Sequence, residues 1–534
     1  MPLFGSLYTG ASGLQTSQNT LNTTAHNMAN VDTAGYTRQQ ILLGTRSFNT
    51  LSISASAVAY QQYGLGVYYS QVRQVRDEFL DKTYRKESGR SAFYEMNTRV
   101  IEEVEDLFGE FQGVEFSSAI ENLWESIEEL DKDPAKLTNQ GLFIARCEEF
   151  LARAGLVYQG LSAQQDNLNK RVRTDVEKLN ELGNELVELN KQVIKIEAGG
   201  IENANDLRDR RNQILDELGG MGRISYTEDM YGVVTVKFEG IDFVKTEGCN
   251  ELGLYVDENT GFYTPYWKQL ASTKPGPGGT KVLDLEACRL YDPTELISSE
   301  LNTDIGSMRA ILLARGEKRA TYQDLEDTDY YNTNISQSIL MNVQAEFDQL
   351  VHKVAVAIND VLRRAAESEP DTDYMKDKDG NPYQMFELIS NDPDKGYSVT
   401  NMVLNEDLKR EPSRLSFRLK DGSEDKTTTR RLVEAFSEES HTLNPNLKTK
   451  TNLQKYYANL IAQVSNTGEA NKEIAAAQAN TVNETFSARE QIVGVSSDEE
   501  MEFMIKFQNA FNASSRYINV INEMIEHILN TLGR

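Results

Sequence analysis

Apolar side chains at both ends of the chain recur at alternating steps of three and four, the spacing that lines them along one seam of an α-helix. Starting from Phe4, the first series is Leu7, Ala11, Leu14, Gln18, Leu21, Ala25 and Met28, interrupted only by Gln18. Turn-forming residues from Asn30 to Gly35 then end it. At the far end Met504, Phe507, Phe511, Ser514, Ile518, Ile521, Ile525, Ile528 and Leu532 repeat the pattern, with Ser514 alone off it. Ser497 and Glu500 have the spacing of a capping box, and Asp498, Glu499 and Glu500 put negative charge on the positive end of the dipole, which predicts a helix starting there. Burying either seam offsets only part of the backbone entropy lost on ordering a helix this long, so each requires a partner. The N-terminal seam is the weaker, and its expected partners are the C-terminal helix and neighbouring copies.

Between the ends, Leu168, Val172, Leu179, Leu182, Leu186, Leu189, Val193 and Ile196 predict a long rod helix, with Asp175 off the pattern. Other helical stretches are predicted at 99–131, 137–159, 204–218, 302–314, 336–366 and 453–488, broken by Pro134, by Gly199 with Gly200, and by Gly219 with Gly220. From Arg223 to Asp292 the pattern changes to alternation, as in Val233, Val234, Val236, Phe238, Ile241, Phe243 and Val244, which predicts a β domain. A second β-rich stretch is predicted at about Asp371 to Leu419. The expected fold is mainly α with inserted β domains, elongated and multi-domain. Its expected parts are a discontinuous terminal helical domain (1–46 and 490–534), a helical rod (47–218, 301–366 and 441–489), an outer β-rich domain (219–300) and a second β-rich insert (367–440).

The 534 residues carry a net charge of −27, and the first 37 contain one charged residue, Asp32. Nucleic-acid and anionic-membrane binding need basic clusters, and no long basic stretch occurs, so neither is an expected partner. No apolar run approaches bilayer length, and the first residues lack the pattern of a secretory signal. The chain is therefore expected to stay in the cytosol or to leave by a signal-less route. Cys147, Cys249 and Cys288 offer no CxxC spacing, and small buried hydrophobes are the expected role.

Candidate chemistry is sparse. His26, His352, His441 and His527 form no HExxH, and neither a nucleophile elbow nor a phosphate-binding loop is present. Asp377-Lys378-Asp379-Gly380-Asn381 opens like a calcium loop, but its twelfth position is Leu388 where a bidentate Glu is needed, so a turn is expected. Gly276 to Gly279 reads as a loop, not a phosphate cradle, and Glu128-Glu129 as a solvated helix face. No catalytic, cofactor-binding or metal residue is expected. Tyr226, Tyr231, Tyr255, Phe262, Tyr263, Tyr266 and Trp267 read either as β-domain core or as a contact surface.

The run Ser6-Leu7-Tyr8-Thr9-Gly10-Ala11-Ser12-Gly13-Leu14, followed by Asn27-Met28-Ala29-Asn30-Val31-Asp32-Thr33-Ala34-Gly35-Tyr36-Thr37-Arg38-Gln39, resembles the signature of flagellar rod, hook and hook-associated proteins. Gly494 to Glu500 leading into the last helix resembles their closing signature. Blocks at Gly64 to Leu80, Ala204 to Leu218 and Asn401 to Ser413 are similar to stretches of the hook-associated members. The resemblance implies a structural subunit at the hook–filament junction, with paired terminal helices as an inner layer, long helices as a middle layer and β domains outside. It further implies signal-less type III export from the cytoplasm to the extracellular flagellum and assembly into a ring of copies. The implied partners are the chain itself, hook protein, hook-associated protein 3 and an export chaperone that binds the C-terminal helix. Leu7, Leu14, Leu21, Met28, Met504, Phe507, Phe511, Ile518, Ile521, Ile525, Ile528 and Leu532 are the expected assembly interface. Another axial protein such as flagellin, or a flagellar-surface adhesin, are the alternatives.

Overall fold

The computed structural model describes residues 2–53, 60–108, 116–200, 202–275, 281–369, 372, 374–393 and 395–532, with the backbone alone for 2–4, 49–53, 60–63 and 532. In chain order the elements begin with α1 (Pro2–Ala29), β1 (Gln39–Thr45), β2 (Asn49–Ile53), β3 (Tyr60–Tyr63) and β4 (Val67–Gln74). Then come α2 (Glu78–Phe108), α3 (Phe116–Lys132), α4 (Leu137–Glu197), α5 (Asn205–Met221), β5 (Ile224–Glu228), β6 (Val234–Phe238) and β7 (Ile241–Val244). Next are β8 (Leu252–Val256), β9 (Tyr263–Trp267), β10 (Thr273–Pro275), β11 (Lys281–Leu283), α6 (Leu285–Cys288), α7 (Ser307–Arg315) and α8 (Thr328–Tyr330). The order closes with α9 (Ile339–Ser368), β12 (Phe386–Leu388), β13 (Met402–Leu404), α10 (Glu406–Arg410), α11 (Lys426–Ser437), α12 (Leu453–Val493) and α13 (Ser497–Leu532). The fold is mainly α with small antiparallel sheets inserted, as the sequence pattern predicts.

The chain forms two compact units. Unit 1 comprises Met1–Gly89, Leu179–Glu251 and Gln478–Arg534, and unit 2 comprises Arg90–Lys178 and Leu252–Ala477.

In unit 1, α1 packs on α13 and on the antiparallel pair β1–β4, whose register slips at Leu42/Leu43. The sheet β5–β6–β7 lies against the later turns of α4, where Gly183 and Asn190 replace larger apolar residues for separate reasons. A Cβ on Gly183 would come 2.5 Å from both Phe243 and the Cys249 sulfur. Asn190 Nδ2 donates to the Val234 carbonyl at 2.8 Å and its Oδ1 accepts the Val234 amide at 3.2 Å, so the buried amide satisfies backbone that would otherwise be orphaned. Arg489 of α12 bridges Asp81 of α2 (2.8 Å) and Asp216 of α5 (2.9 Å), joining three helices through buried charge.

Unit 2 is built on one apolar core shared by α2, α3, α4, α9, α11 and α12. Phe108, Phe116, Phe347 and Tyr457 form an aromatic knot, with Phe150 5.4 Å from Phe116. On the polar side of α9, buried Glu346 accepts from Asn444 (2.7 Å) and Gln463 (2.9 Å). Asp348, fully buried, accepts the amides of Val399 (2.7 Å) and Tyr322 (2.9 Å).

Several expectations are corrected. Residues 39–74 hold β1 to β4 where the rod was expected to begin; polar residues at half the strand positions hide the alternation. α4 is one 61-residue helix, not two, and at the Asp175 irregularity Val176 takes the buried place. Gly219 and Gly220 lie inside α5, which runs on to Met221. The second β-rich stretch reduces to β12 and β13, three residues each. Its backbone is satisfied by side chains instead of a ladder: Asn359 Oδ1 accepts the amides of Met385 (2.8 Å) and Phe386 (3.1 Å), and Asn401 Oδ1 that of Ser390 (2.9 Å). The strands of 219–300 fall in different units, β5 to β7 in unit 1 and β8 to β11 in unit 2. Of the aromatic set, Phe262 and Trp267 are buried, Tyr226 lies under the Arg85 guanidinium (4.7 Å), and Tyr231 is exposed. Asp377 to Asn381 is a turn, its Asp377 Oδ1 accepting the amides of Asp379 and Asn381. The Gly276 to Gly279 loop lies outside the described residues.

Candidate assembly interface

The contact between α1 and α13 is set by small residues. A Cβ on Gly10 would come 2.8 Å from Ile518 and 3.1 Å from Tyr517, and one on Gly13 would come 2.8 Å from the Ser514 hydroxyl. This close approach explains Ser514, the one polar position in the C-terminal seam: it faces a glycine across a gap too narrow for a branched side chain.

Along α13 the predicted seam is the covered face. Met504, Phe507, Phe511, Ser514, Ile518, Ile525 and Ile528 are half-buried and Ile521 is buried, whereas most intervening residues are exposed. The Leu532 side chain, like that of Phe4, lies outside the described residues.

α1 differs from the expectation. Leu7, Leu14, Leu21 and Met28 are only half-buried, and Ala11, Gln18 and Ala25 are exposed. The buried stripe is instead Ser12, Thr16, Thr20, Thr24 and Asn27, in steps of four that end on a three, displaced around the helix. It can be polar because hydroxyls satisfy their own helix: Ser12 donates to the Thr9 carbonyl (2.8 Å) and Thr20 to that of Thr16 (2.7 Å). At its ends the stripe bonds to the strand pair. Ser12 Oγ accepts the Val67 amide at 3.2 Å, beside Gly66, which needs its φ of +89° and has no room for a Cβ. Asn27 Oδ1 accepts the Gln39 amide (3.0 Å) and the Tyr36 hydroxyl (2.7 Å), and its Nδ2 donates to the Gln39 carbonyl (2.9 Å).

The start of α13 is held by a residue that periodicity does not reveal. Arg38 donates through Nε to Glu500 (2.9 Å), pairs through Nη1 with Glu499 (2.9 Å), and lies over the Phe503 ring (5.6 Å). The expected Ser497–Glu500 box is therefore displaced by one residue: Ser497 is already helical, the Ser496 hydroxyl accepts the Glu499 amide (3.5 Å), and the Glu500 side chain is committed to Arg38. Arg38, Thr20, Thr24, Phe503 and Phe507 border a cavity of about 310 Å³. Next to it, burial raises the Asp209 carboxyl to about 6 against the lowering effect of bonds from Thr37.

Flanking the seam, Val520 and Met524 of α13 are 45 % and 48 % exposed and Tyr517, one edge of which meets α1 at Gly10, is 43 % exposed; spaced three and four apart, they form a second apolar row. Among the described residues no group of three or more His, Cys, Asp or Glu side chains is placed to hold a metal ion, and no helix is long and apolar enough to cross a membrane. The geometry is that of a packing surface.

The family model for the flagellar hook-associated protein FlgK helical domain matches residues 101–373, about half of the chain, and that for the flagella basal body rod protein matches residues 7–37. Flagellar hook-associated protein 1 of Bacillus subtilis (strain 168) is 25 % identical over 532 residues, covering 99 % of this chain and 98 % of that protein. Its namesake in Escherichia coli (strain K12) is 24 % identical, covering 97 % of this chain and 98 % of that protein. The solved structure of the flagellar hook junction protein FlgK from Burkholderia pseudomallei has a similar fold, with a TM-score of 0.53 at 11 % identity over 79 % of this chain and all of that one. By the match of its helical domain, supported by relatives aligned from end to end, the chain belongs to the FlgK family, structural hook-associated proteins of the bacterial flagellum.

Proposed function

We propose that this chain is a structural subunit of the flagellum that forms the hook–filament junction, and that its terminal helices complete their burial only against neighbouring copies. The observation that carries the second part is α13: it packs on α1 through one face, buries Ile521 alone among its described apolar side chains, and leaves the flanking row of Tyr517, Val520 and Met524 nearly half exposed. A lone chain leaves this row in water, and a neighbouring copy covers it, so folding and assembly are coupled. Hook protein and hook-associated protein 3 are the further axial partners in this reading, and the chain reaches them after export from the cytoplasm. A chaperone would take the apolar side of α13 before export in a helix-in-groove mode.

The test separates assembly from folding. Val520→Asp and Met524→Asp act on exposed positions and should leave the monomer's circular dichroism unchanged, while their incorporation at the junction of hook and filament falls at least tenfold. Phe511→Asp, on the seam, should in addition loosen α13 while leaving unit 2 folded. Normal incorporation of the Val520 and Met524 variants would overturn the proposal. In the purified monomer, amides of 1–46 and 490–534 should exchange faster than those of the rest, and in assembled flagella they should be protected.

A further inference from the structure

α13 carries two stripes of the same outline on different faces. The first is Glu499, Phe503, Lys506 and Phe507. Its two rings are stacked at 6.0 Å and half-buried, and with Glu499 they form the α13 wall of the cavity of about 310 Å³ at the Arg38 contact. The second stripe is Arg516, Val520, Glu523 and Met524, all exposed. Each of its members stands 17 positions after a member of the first. At about 100° and 1.5 Å per residue, that separation sets the stripes roughly 100° apart around the helix and about 25 Å apart along it. They cannot meet within one helix, only between two.

Each stripe supplies what the other lacks. Glu499 is paired with Arg38 but its side chain is 58 % exposed, which leaves room for a second cation. Lys506 lies over the Phe503 ring at 5.8 Å, and among the described residues Lys506, Arg516 and Glu523 form no ion pair. Two copies of α13 laid side by side, parallel and offset by those 17 positions, set Arg516 against Glu499, Val520 against Phe503, Glu523 against Lys506 and Met524 against Phe507. Two opposite-charge pairs thus alternate with two apolar ones, and the thioether of Met524 meets an aromatic ring. The registers one turn away lose this match. An offset of 13 brings Arg516 onto Phe503 and Glu523 onto Ala510, and one of 21 brings Val520 onto Glu499 and Glu523 onto Glu502, like charge against like. The cavity beside Phe503 and Phe507 gives the incoming side chains a place to enter.

We propose that a second copy of this chain lays the Arg516–Met524 stripe of its α13 on the Glu499–Phe507 stripe of the first, parallel and displaced by about 25 Å along the helix. This rests on the reading that copies cover one another's terminal helices, and adds the face, the direction and the offset. Because the two stripes differ, each copy offers one and accepts the other, so the contact is head-to-tail and passes from copy to copy.

The test reads the offset in flagella of cells whose only copy of this protein is the variant. Lys506→Glu and Glu523→Lys act on exposed positions about 25 Å apart in one chain. Each should leave the monomer's circular dichroism unchanged and lower incorporation at the junction at least about threefold, by setting like charges face to face. The chain carrying both should return to within about twofold of the parent, a rescue that only contact between copies can bring about. In assembled flagella, Lys506→Cys with Glu523→Cys should give disulfide-linked oligomers on mild oxidation, and Lys506→Cys with His527→Cys, one turn out of register, at least about fivefold fewer. A double reversal without rescue, or a 506–527 link as abundant as the 506–523 link, would overturn the offset. If Val520→Asp blocks assembly alongside that result, the register alone falls; if Val520→Asp assembles normally, the covering of α13 by neighbours falls with it.

Discussion

Arg38→Ala tests whether a single cation holds the start of α13. The Glu500 side chain is 3 % exposed and its ion pair is Arg38, itself 21 % exposed, at 2.9 Å. Removing the guanidinium leaves a buried carboxylate without a cation, and breaking a buried pair from one side costs about 3–5 kcal/mol. The partial exposure of Arg38 and the favourable N-terminal dipole place the expected loss at the lower end, about 3 kcal/mol, or roughly 150-fold in the opening equilibrium. Glu499, with its side chain 58 % exposed, adds little. Hydrogen exchange of amides in the first three turns of α13, measured on the purified monomer, reads this directly, and Arg38→Lys should fall between alanine and the parent. The Arg38→Ala, Glu500→Gln double variant should recover most of the protection, since it removes the stranded charge. A change below about threefold in the single variant, or a double variant no better than the single, would refute the attribution to an unpaired carboxylate.

Gly66→Ala combines a φ of +89° with a Cβ that would sit 2.0 Å from the Ser12 hydroxyl, so it should lower unit 1 stability by at least about 2 kcal/mol in a denaturant titration. Burial raises the Asp348 carboxyl from 3.8 to about 7, above its value in the unfolded chain. Its stabilising contribution is therefore complete below pH 4 and lost as the pH rises towards 7, and Asp348→Asn should flatten the stability–pH profile across that window; an unaltered slope would contradict this. Deleting residues 497–534 should abolish chaperone binding in a pull-down from the export-competent cytosol, and undiminished binding would place the chaperone site elsewhere.

The C-terminal helix was legible because its covered face is apolar: each seam position from Met504 to Ile528 is at least half-buried, including Ser514, whose size mattered more than its polarity. The N-terminal helix was half legible. Its presence and length follow from periodicity, but the buried stripe from Ser12 to Asn27 is hydroxyl and amide, which a pattern read on hydrophobicity does not register. Strands β1 to β4 were hidden for a related reason, since residues such as Gln39, Gln40 and Gln74 occupy positions that stay partly wet. The stretch around Tyr383 and Phe386 misled in the opposite direction: apolar residues at strand-like intervals are buried there by irregular chain that Asn359 and Asn401 hold in place. Arg38 carried no periodic signal, although the signature Gly35-Tyr36-Thr37-Arg38 contains it.

The absence of charge from α1 has an environmental consequence. Salt weakens interactions between charges and leaves dispersion contacts and helix-internal hydrogen bonds nearly untouched. The packing of α1 on Ile518 and on the β1–β4 pair is of this second kind, so dilution or brine alters it little. Ionic strength acts on the contact through the exposed pair of Arg38 with Glu499, whereas the buried pair with Glu500 is screened far less. The paired ends thus have a salt-blind length and a clasp of two straps, an outer one at Glu499 that brine slackens and an inner one at Glu500 that it scarcely reaches.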